Sequence, residues 1–392
     1  MISDFQNWID VNFEKLVSIR RWLHMNPEVG FSEYKTSEYL KKLLSKTGYK
    51  IIQNPDMKTG FFCEYNSGSK GKILAVRCDM DGLLVNEQSD KEYKSINSGV
   101  MHACGHDVHM TTIAGLAVMI KELELDISGT IRFIFQPAEE QAPGGAIAMI
   151  DGGAIDKVDH IIGGHVLPKM NAGKIGFKKG FMAAIVELIE VSITGPGGHT
   201  SRPAETVDLI WAMSQLILSI EQSVKRSTEQ QEPVVLAFGK VVGGNTFNVL
   251  PDNIDLKGTL RYLDSNLKDK LHKSIEKAIL GVEQLTGAKI SWSVPYTSPG
   301  LFNDGDLTDI LVEASVESIG QENTVIIEES SMGGEDFAYY LEHIPGSYYR
   351  IGCFDGCVND VHTPNFDVDE SCISTALLFL GNAVKTYFNH QK

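Results

Sequence analysis

The sequence has no apolar run of eighteen residues, no paired Cys-x-x-Cys units, no internal repeat, no low-complexity segment and no basic excess. The first absence excludes a transmembrane helix. The opening stretch MISDFQNWIDVNFEKL has no basic start followed by an apolar core, so it does not read as a signal peptide. Six cysteines (Cys63, Cys78, Cys104, Cys353, Cys357 and Cys372) are scattered over 392 residues. That distribution fits reduced thiols in the cytoplasm rather than a disulfide scaffold. A net charge of −16 argues against a phosphate-backbone partner. The expected partner is a small molecule, with no nucleic acid and no membrane. An anionic substrate stays admissible, because a site can be locally positive in an acidic protein.

A chain this long is expected to form two domains. Trp8, Ile9, Phe13, Leu16, Val17 and Leu23 fall at helical spacing, and a second helix is expected over 36–44. Three short, nearly continuous apolar runs, 72–77, 130–135 and 160–164, read as strands buried on both faces. Helical patterns at 108–123 and 144–150 lie between them, which gives an α/β/α sandwich. Residues 185–194 instead alternate apolar and polar, like a strand with one wet face. A helix at 204–226, strands at 234–242 and 253–263, a helix at 267–285 and a strand at 289–294 complete a β-α-β-β-α-β order, the ferredoxin-like α+β arrangement. Strand and helix alternate again over 307–319, 346–352 and 371–388. The expected fold is therefore α/β: a catalytic domain of residues 1–183 and 296–392, interrupted by a smaller domain over 184–295.

Metal-capable side chains crowd one stretch, where His102, Cys104, His106, Asp107 and His109 surround Gly105. Cys104 and His106 are two apart, so in a turned loop both can meet one ion. The same residues also fit a polar loop with Asp107 capping a helix and histidines at the surface. Glu139 and Glu140 follow the strand 130–135 directly, where α/β active sites form. One can coordinate while its neighbour faces substrate, although acids at a helix N-terminus look the same. His165 follows the strand 160–164, and His362 sits in a loop ahead of the last helix, by position an ordinary loop histidine. Cys104, His106, Glu140, His165 and His362 together exceed the needs of one four-coordinate structural zinc. They suit two ions with shared or open positions. Asp79 and Asp81 end the strand 72–77 and point to one side. They either orient a ligating histidine from behind or form a solvated acid pair.

These segments, with Arg21-Trp22-Leu23-His24, Pro27-Glu28, Gly82-Leu83, Gly197-Gly198-His199, Asn248-Val249-Leu250-Pro251, Gly333-Gly334-Glu335-Asp336-Phe337 and His362-Thr363-Pro364, resemble the metal-dependent aminoacylases in order along nearly the whole chain. That group includes hippurate hydrolases, indole-acetyl-amino-acid hydrolases and N-acetyl-diaminopimelate deacetylases. The resemblance implies that Cys104, His106, Glu140, His165 and His362 are the metal ligands and Glu139 the catalytic acid and base. It implies that the inserted domain is a lid or dimerisation domain, that His199 reaches from it toward substrate, and that the chain works as a homodimer. Two divalent ions per subunit are expected, zinc or manganese, with cobalt or nickel also compatible with mixed N, O and S donors.

The implied reaction is hydrolysis of the amide bond of an N-acyl amino acid by a metal-bridging water, with Glu139 as general base. Asn248 and Arg261 are candidates for holding the substrate carboxylate, though Arg261 equally fits a surface strand. A dipeptidase or carboxypeptidase using the same two-metal site is the alternative, and a catalytically silent binding protein is a third reading. Gly82-Leu83-Leu84 stands where the family has Ala-Leu-Pro, and Thr200-Ser201-Arg202-Pro203 where small residues are commoner. Both departures leave the substrate open. Cys353 and Cys357 read as loop or buried thiols, Glu335 and Asp336 as helix caps or as groups that orient the site around His362, and His102 and His109 as residues behind the ligands or at the surface.

Overall fold

Lys72–Asp79, Gly129–Gln136, His160–Asn171 and Gly346–Phe354 carry few charges and are buried along most of their length. Strands of that composition pair in the middle of a sheet, with helices over both faces. The computed structural model describes residues 2–229, 231–356 and 359–391. Cys357 lies outside the described residues, and Cys353 is a buried free thiol. We label the four strands β1 to β4 in the order given. β1 pairs in parallel with β2 and with β3, and β3 pairs in parallel with β4. They form the centre of an eight-stranded sheet whose outer members are Phe61–Asn66 with Ile51–Ile52 on one side and Ile175–Phe177 with Thr324–Ile326 on the other.

The helices α1 (Ile2–Met25), α2 (His106–Glu122) and α3 (Ser371–His390) pack on one another against this sheet. α2 is buried nearly all round, which suits a helix at the middle of a layer rather than at its surface. Tyr349 packs on Phe379 of α3, while its neighbour Tyr348 packs on Phe337. Successive strand residues point to opposite faces, so the segment around Phe337 covers the face away from α3.

The chain divides into two compact units. The sheet just described belongs to the first, made of Met1–Met182, Phe302–Glu329 and Asp336–Lys392; the second comprises Ala183–Leu301 and Ser330–Glu335. The second holds an antiparallel four-stranded sheet in the order Val234–Gly243, Asn253–Tyr262, Ile185–Thr194, Lys289–Ser298. Leu209–Ser227 and Lys268–Thr286 pack on each other over its apolar face. Glu187 is a fully buried exception on that face, and its carboxylate accepts from Tyr262 Oη at 2.9 Å and pairs with His272 Nε2 at 2.6 Å.

Three elements differ from the sequence expectation. The helix expected from residue 204 starts at Leu209, because Asp208 caps it through Ile210 N and Trp211 N and Pro203 opens a separate short turn. β3 does not stop at residue 164 but continues for 12 residues to Asn171, so His165 lies within a strand rather than after one. Phe61–Asn66 pairs antiparallel with β2 and widens the sheet at a place where no strand was expected. Among the described residues no helix is long and apolar enough to cross a membrane.

Candidate metal centre

Parallel pairing brings the carboxyl ends of the central strands to one level. Asp79 at the end of β1 lies opposite Gln136 at the end of β2, and Arg77 lies opposite Gly163. His165, two residues beyond Gly163, is therefore level with Asp79. Ligands of open α/β sheets gather at this edge.

Gly105 delivers the Met101–His109 stretch to the same edge. It holds φ +81°, and a Cβ there would stand 2.5 Å from Val166 Cγ2. Glycine alone meets both demands. Cys104 Sγ lies 3.2 Å from His165 Nε2 and 3.3 Å from His362 Nε2. His362 Nε2 lies 3.1 Å from Glu140 Oε1, while His106 Nε2 lies 4.0 Å from both Glu139 Oε2 and Glu140 Oε1. The His362 backbone N–H donates to the Ala103 carbonyl at 2.7 Å, which ties that loop to the Cys104 turn. Among the described residues, the groups with ligand atoms within 4.8 Å of one another include Cys104, His106 and His165; Cys104, Glu140 and His362; and His106, Glu139 and Glu140.

The donor chemistry fits cations. His165 Nδ1 donates to the Val166 carbonyl at 2.7 Å, so its Nε2 turns a lone pair toward Cys104. His106 Nδ1 lies 3.3 Å from Asp81 Oδ1, and its Nε2 faces the two glutamates. That buried Nε2 has no hydrogen-bond partner among the described residues. Lone pairs, carboxylates and a thiol thus face one another with no proton between several of them, an arrangement that a bound cation relieves. Burial pushes the Cys104 thiol well above its usual value and His165 well below its own. Burial opposes the charged form of His106, but Asp79 and Asp81 raise it overall. His362 is raised by its contact with Glu140.

The residues behind these groups hold them in place. His109 Nδ1 donates to Asp79 Oδ1 at 2.7 Å, and His109 Nε2 accepts the Val166 backbone N–H at 3.0 Å. His109 is buried, and it links Asp79 to the strand position next to His165. His102 is also buried, and burial pushes it down to about 4. Asp81 accepts the backbone N–H of Glu139 at 3.0 Å and of Glu140 at 3.1 Å, so one carboxylate orients both acids. Asp336 does not cap the helix Ala338–Leu341, which has no side-chain cap. Its carboxylate accepts from Arg77 Nη2 at 2.7 Å and from Gln136 Nε2, because a buried arginine left without an anion is costly.

Sequence reasoning missed Glu33. It is fully buried, accepts the Ala138 N–H at 2.8 Å and Thr59 Oγ1, and burial pushes it up to about 7. Ala138 sits at φ +48°, a left-handed conformation unusual for alanine, and Glu33 pins it there. Arg77 is a charge inside an apolar strand, and its guanidinium pairs with Asp79 and Asp336. Gly145 completes the turn. A Cβ there would stand 1.8 Å from the Pro137 carbonyl oxygen. Gly145→Ala is expected to push the 137–140 turn outward, to cost about 1–3 kcal/mol and to weaken cation binding at Glu140. Thermal unfolding with and without an added divalent cation reads both effects.

His199, Asn248 and Arg261 belong to the second unit. His199 pairs with Val249 in a two-residue ladder, which places it beside Asn248. His199 Nδ1 accepts the Ser201 N–H at 3.1 Å, and the Ser201 hydroxyl lies 2.8 Å from the same nitrogen. Arg261 Nη1 donates to the Met332 carbonyl at 2.8 Å.

Residues 75–386 match the sequence model described as Peptidase family M20/M25/M40. The chain belongs to that family. It is accordingly a hydrolase of amide bonds. An N-acetyl-L-cysteine deacetylase of Bacillus subtilis is 37% identical over 95% of this chain and 88% of its own length. Thermostable carboxypeptidase 2 of Saccharolobus solfataricus is 32% identical over 96% of this chain and 94% of its own. Among solved structures, a dinuclear metal-binding M20 peptidase from Bacillus subtilis superposes with a TM-score of 0.85 at 30% identity, covering 98% of this chain and 100% of that one.

Proposed function

We propose that this M20-family hydrolase cleaves the amide bond of small N-acyl amino acids. The observation that carries the reading is the convergence of Cys104, His106, Glu140, His165 and His362 with Glu139 beside them at the carboxyl edge of the parallel strands. Those five residues would hold two divalent ions, zinc or manganese best matching the donors, with cobalt or nickel as alternatives. When bound, the ions supply Lewis-acid polarisation of the substrate carbonyl and a water of lowered pKa.

Glu139 takes a proton from the attacking water on its carboxylate and returns it to the leaving amine nitrogen. One carboxyl group serves both steps because they are sequential. Ser201 supports a donor role for His199: its N–H occupies Nδ1, so the neutral ring carries its proton on Nε2, available to the oxyanion. Asn248 and Arg261 would bind the carboxylate of the released amino acid.

The second unit would act as lid and dimerisation domain, giving a homodimer. In support, Val234–Gly243 is an edge strand with Val235, Val241 and Val242 exposed, a row of unpaired backbone groups suited to a partner strand. Buried free thiols suit the cytoplasm.

The test is amine release from N-acetyl amino acids, N-benzoyl amino acids and dipeptides by chelator-stripped protein with zinc or manganese restored. Metal-dependent release from the acylated substrates is expected. Release from dipeptides alone would replace this reading with the peptidase one, the activity named for the Saccharolobus relative.

A further inference from the structure

Arginines buried in this protein meet oxygen atoms. Arg20 pairs with Asp107 and Asp367, Arg77 with Asp79 and Asp336, and Arg132 with Glu64, while Arg261 has the Met332 carbonyl. Arg350 is the exception. It is partly buried in β4, yet among the described residues no carboxylate stands within ion-pair distance and no acceptor takes its hydrogen bonds. Its nitrogens are not among the atoms sealed from solvent. A guanidinium has five donors in a planar fork. With no protein acceptor among the described residues, all five stay open to solvent and to an arriving anion.

Its position identifies the anion's place. Arg350 lies opposite His165 in the parallel β3–β4 register, so the two side chains leave neighbouring strands on the same face. The face is the one that carries Phe337, since Tyr348, two residues before Arg350, packs there. The guanidinium carbon stands 5.4 Å from the Tyr348 ring centroid, within reach of a cation–π contact on that face.

We propose that Arg350 is a carboxylate-binding residue for the substrate, adjacent to the candidate metal centre and separate from Asn248 and Arg261. The inference rests on the N-acyl amino acid reading and adds to it a preference for substrates with a carboxylate close to the scissile amide. That carboxylate comes either from the amino-acid half or from a dicarboxylic acyl half. A fork of this geometry accepts either in the same bidentate manner.

The experiment measures binding to metal-loaded protein by calorimetry, in a Glu139→Gln background that keeps the ligands intact. Three probes differ in whether and where they carry a carboxylate: N-acetylalanine on the amino-acid half, N-succinylalaninamide on the acyl half, and N-acetylalaninamide nowhere. Adding Arg350→Gln is expected to weaken one carboxylate probe by about 10- to 100-fold and to leave the neutral amide within about twofold. The affected probe names the half of the substrate that Arg350 holds. Arg350→Lys restores part of the loss, since it keeps charge without the fork. Equal weakening of all three probes, no weakening of any, or no binding of either carboxylate probe to the parent would each overturn the proposal. Amine release by protein with Glu139 intact is followed separately. Binding that depends on Arg350 without any release would retire the hydrolase mechanism and leave the anion site standing.

Discussion

Glu139→Gln is expected to lower turnover by about 100- to 10,000-fold, the range for loss of a general acid-base group, while the protein keeps its full metal content. Glu139 and Glu140 are adjacent, and each carboxylate stands 4.0 Å from His106 Nε2, so that distance alone does not rank them. Glu140 is distinguished by its second contact, 3.1 Å to His362 Nε2, which places it with Cys104 and His362 as well as with His106, whereas Glu139 joins only the His106 set of these three. Glutamine preserves the size of Glu139, and the Asp81 hydrogen bond to the residue 139 backbone does not depend on the side chain. The turn therefore stays in place and only the proton acceptor is lost. Glu140→Gln is expected to lose bound metal as well as turnover. Elemental analysis beside steady-state kinetics separates the two. If Glu139→Gln emptied the site while Glu140→Gln kept its metal, the roles assigned to the two acids would be exchanged.

Much of this site was legible because strand ends punctuate the sequence. Apolar runs stop abruptly at Asp79 and Gln136, and the chemistry follows within a few residues. The Cys104 and His106 pair was legible for the same reason, with Gly105 marking the turn. Their supports were less so, because their partners are distant in sequence. Glu33 reaches Ala138 across 105 residues, and Arg20 reaches Asp367 across 347. No periodicity records such a pairing. β3 runs past its apolar stretch through Pro168 and Lys169, residues that suit a loop. Its pairing with β1 covers only His160 to Gly163, however, and further on it pairs with β4 alone. A proline is tolerated where one edge of a strand is free of ladder bonds. Helical spacing in α1 identified an apolar stripe but gave no reason to place Arg20 and His24 inside it, since their burial depends on Asp107.

Asp107→Ala is expected to destabilise the protein by about 3–5 kcal/mol, the cost of removing one partner from a buried ion pair. Asp107 and Arg20 are both fully buried. Arg20 Nε lies 2.8 Å from Asp107 Oδ2, and His24 Nδ1 lies 2.8 Å from the same oxygen. Asp367 and Glu370 also face Arg20, so part of its charge stays compensated and the loss falls toward the lower end of that range. Asp107→Asn keeps a hydrogen-bonding group and should lose less. Burial alone would raise the Asp107 carboxyl, but the charges of Arg20 and His24 hold it well below the ordinary carboxylate range. Its contribution is therefore complete above the pKa of an unfolded aspartate, about 4, and is lost as pH falls below that value. Thermal unfolding of wild type and Asp107→Asn across that interval should show the gap between them closing toward acid. A gap that stays constant from neutral pH into the acid range would mean that the ionised carboxylate does not stabilise this fold. Asp107 also follows His106 directly, so the same substitution loosens the start of α2 beneath a candidate ligand. Groups that orient ligands from behind typically change metal affinity by about 10- to 100-fold. Asp107→Ala should accordingly bind metal more weakly even at temperatures where it remains folded.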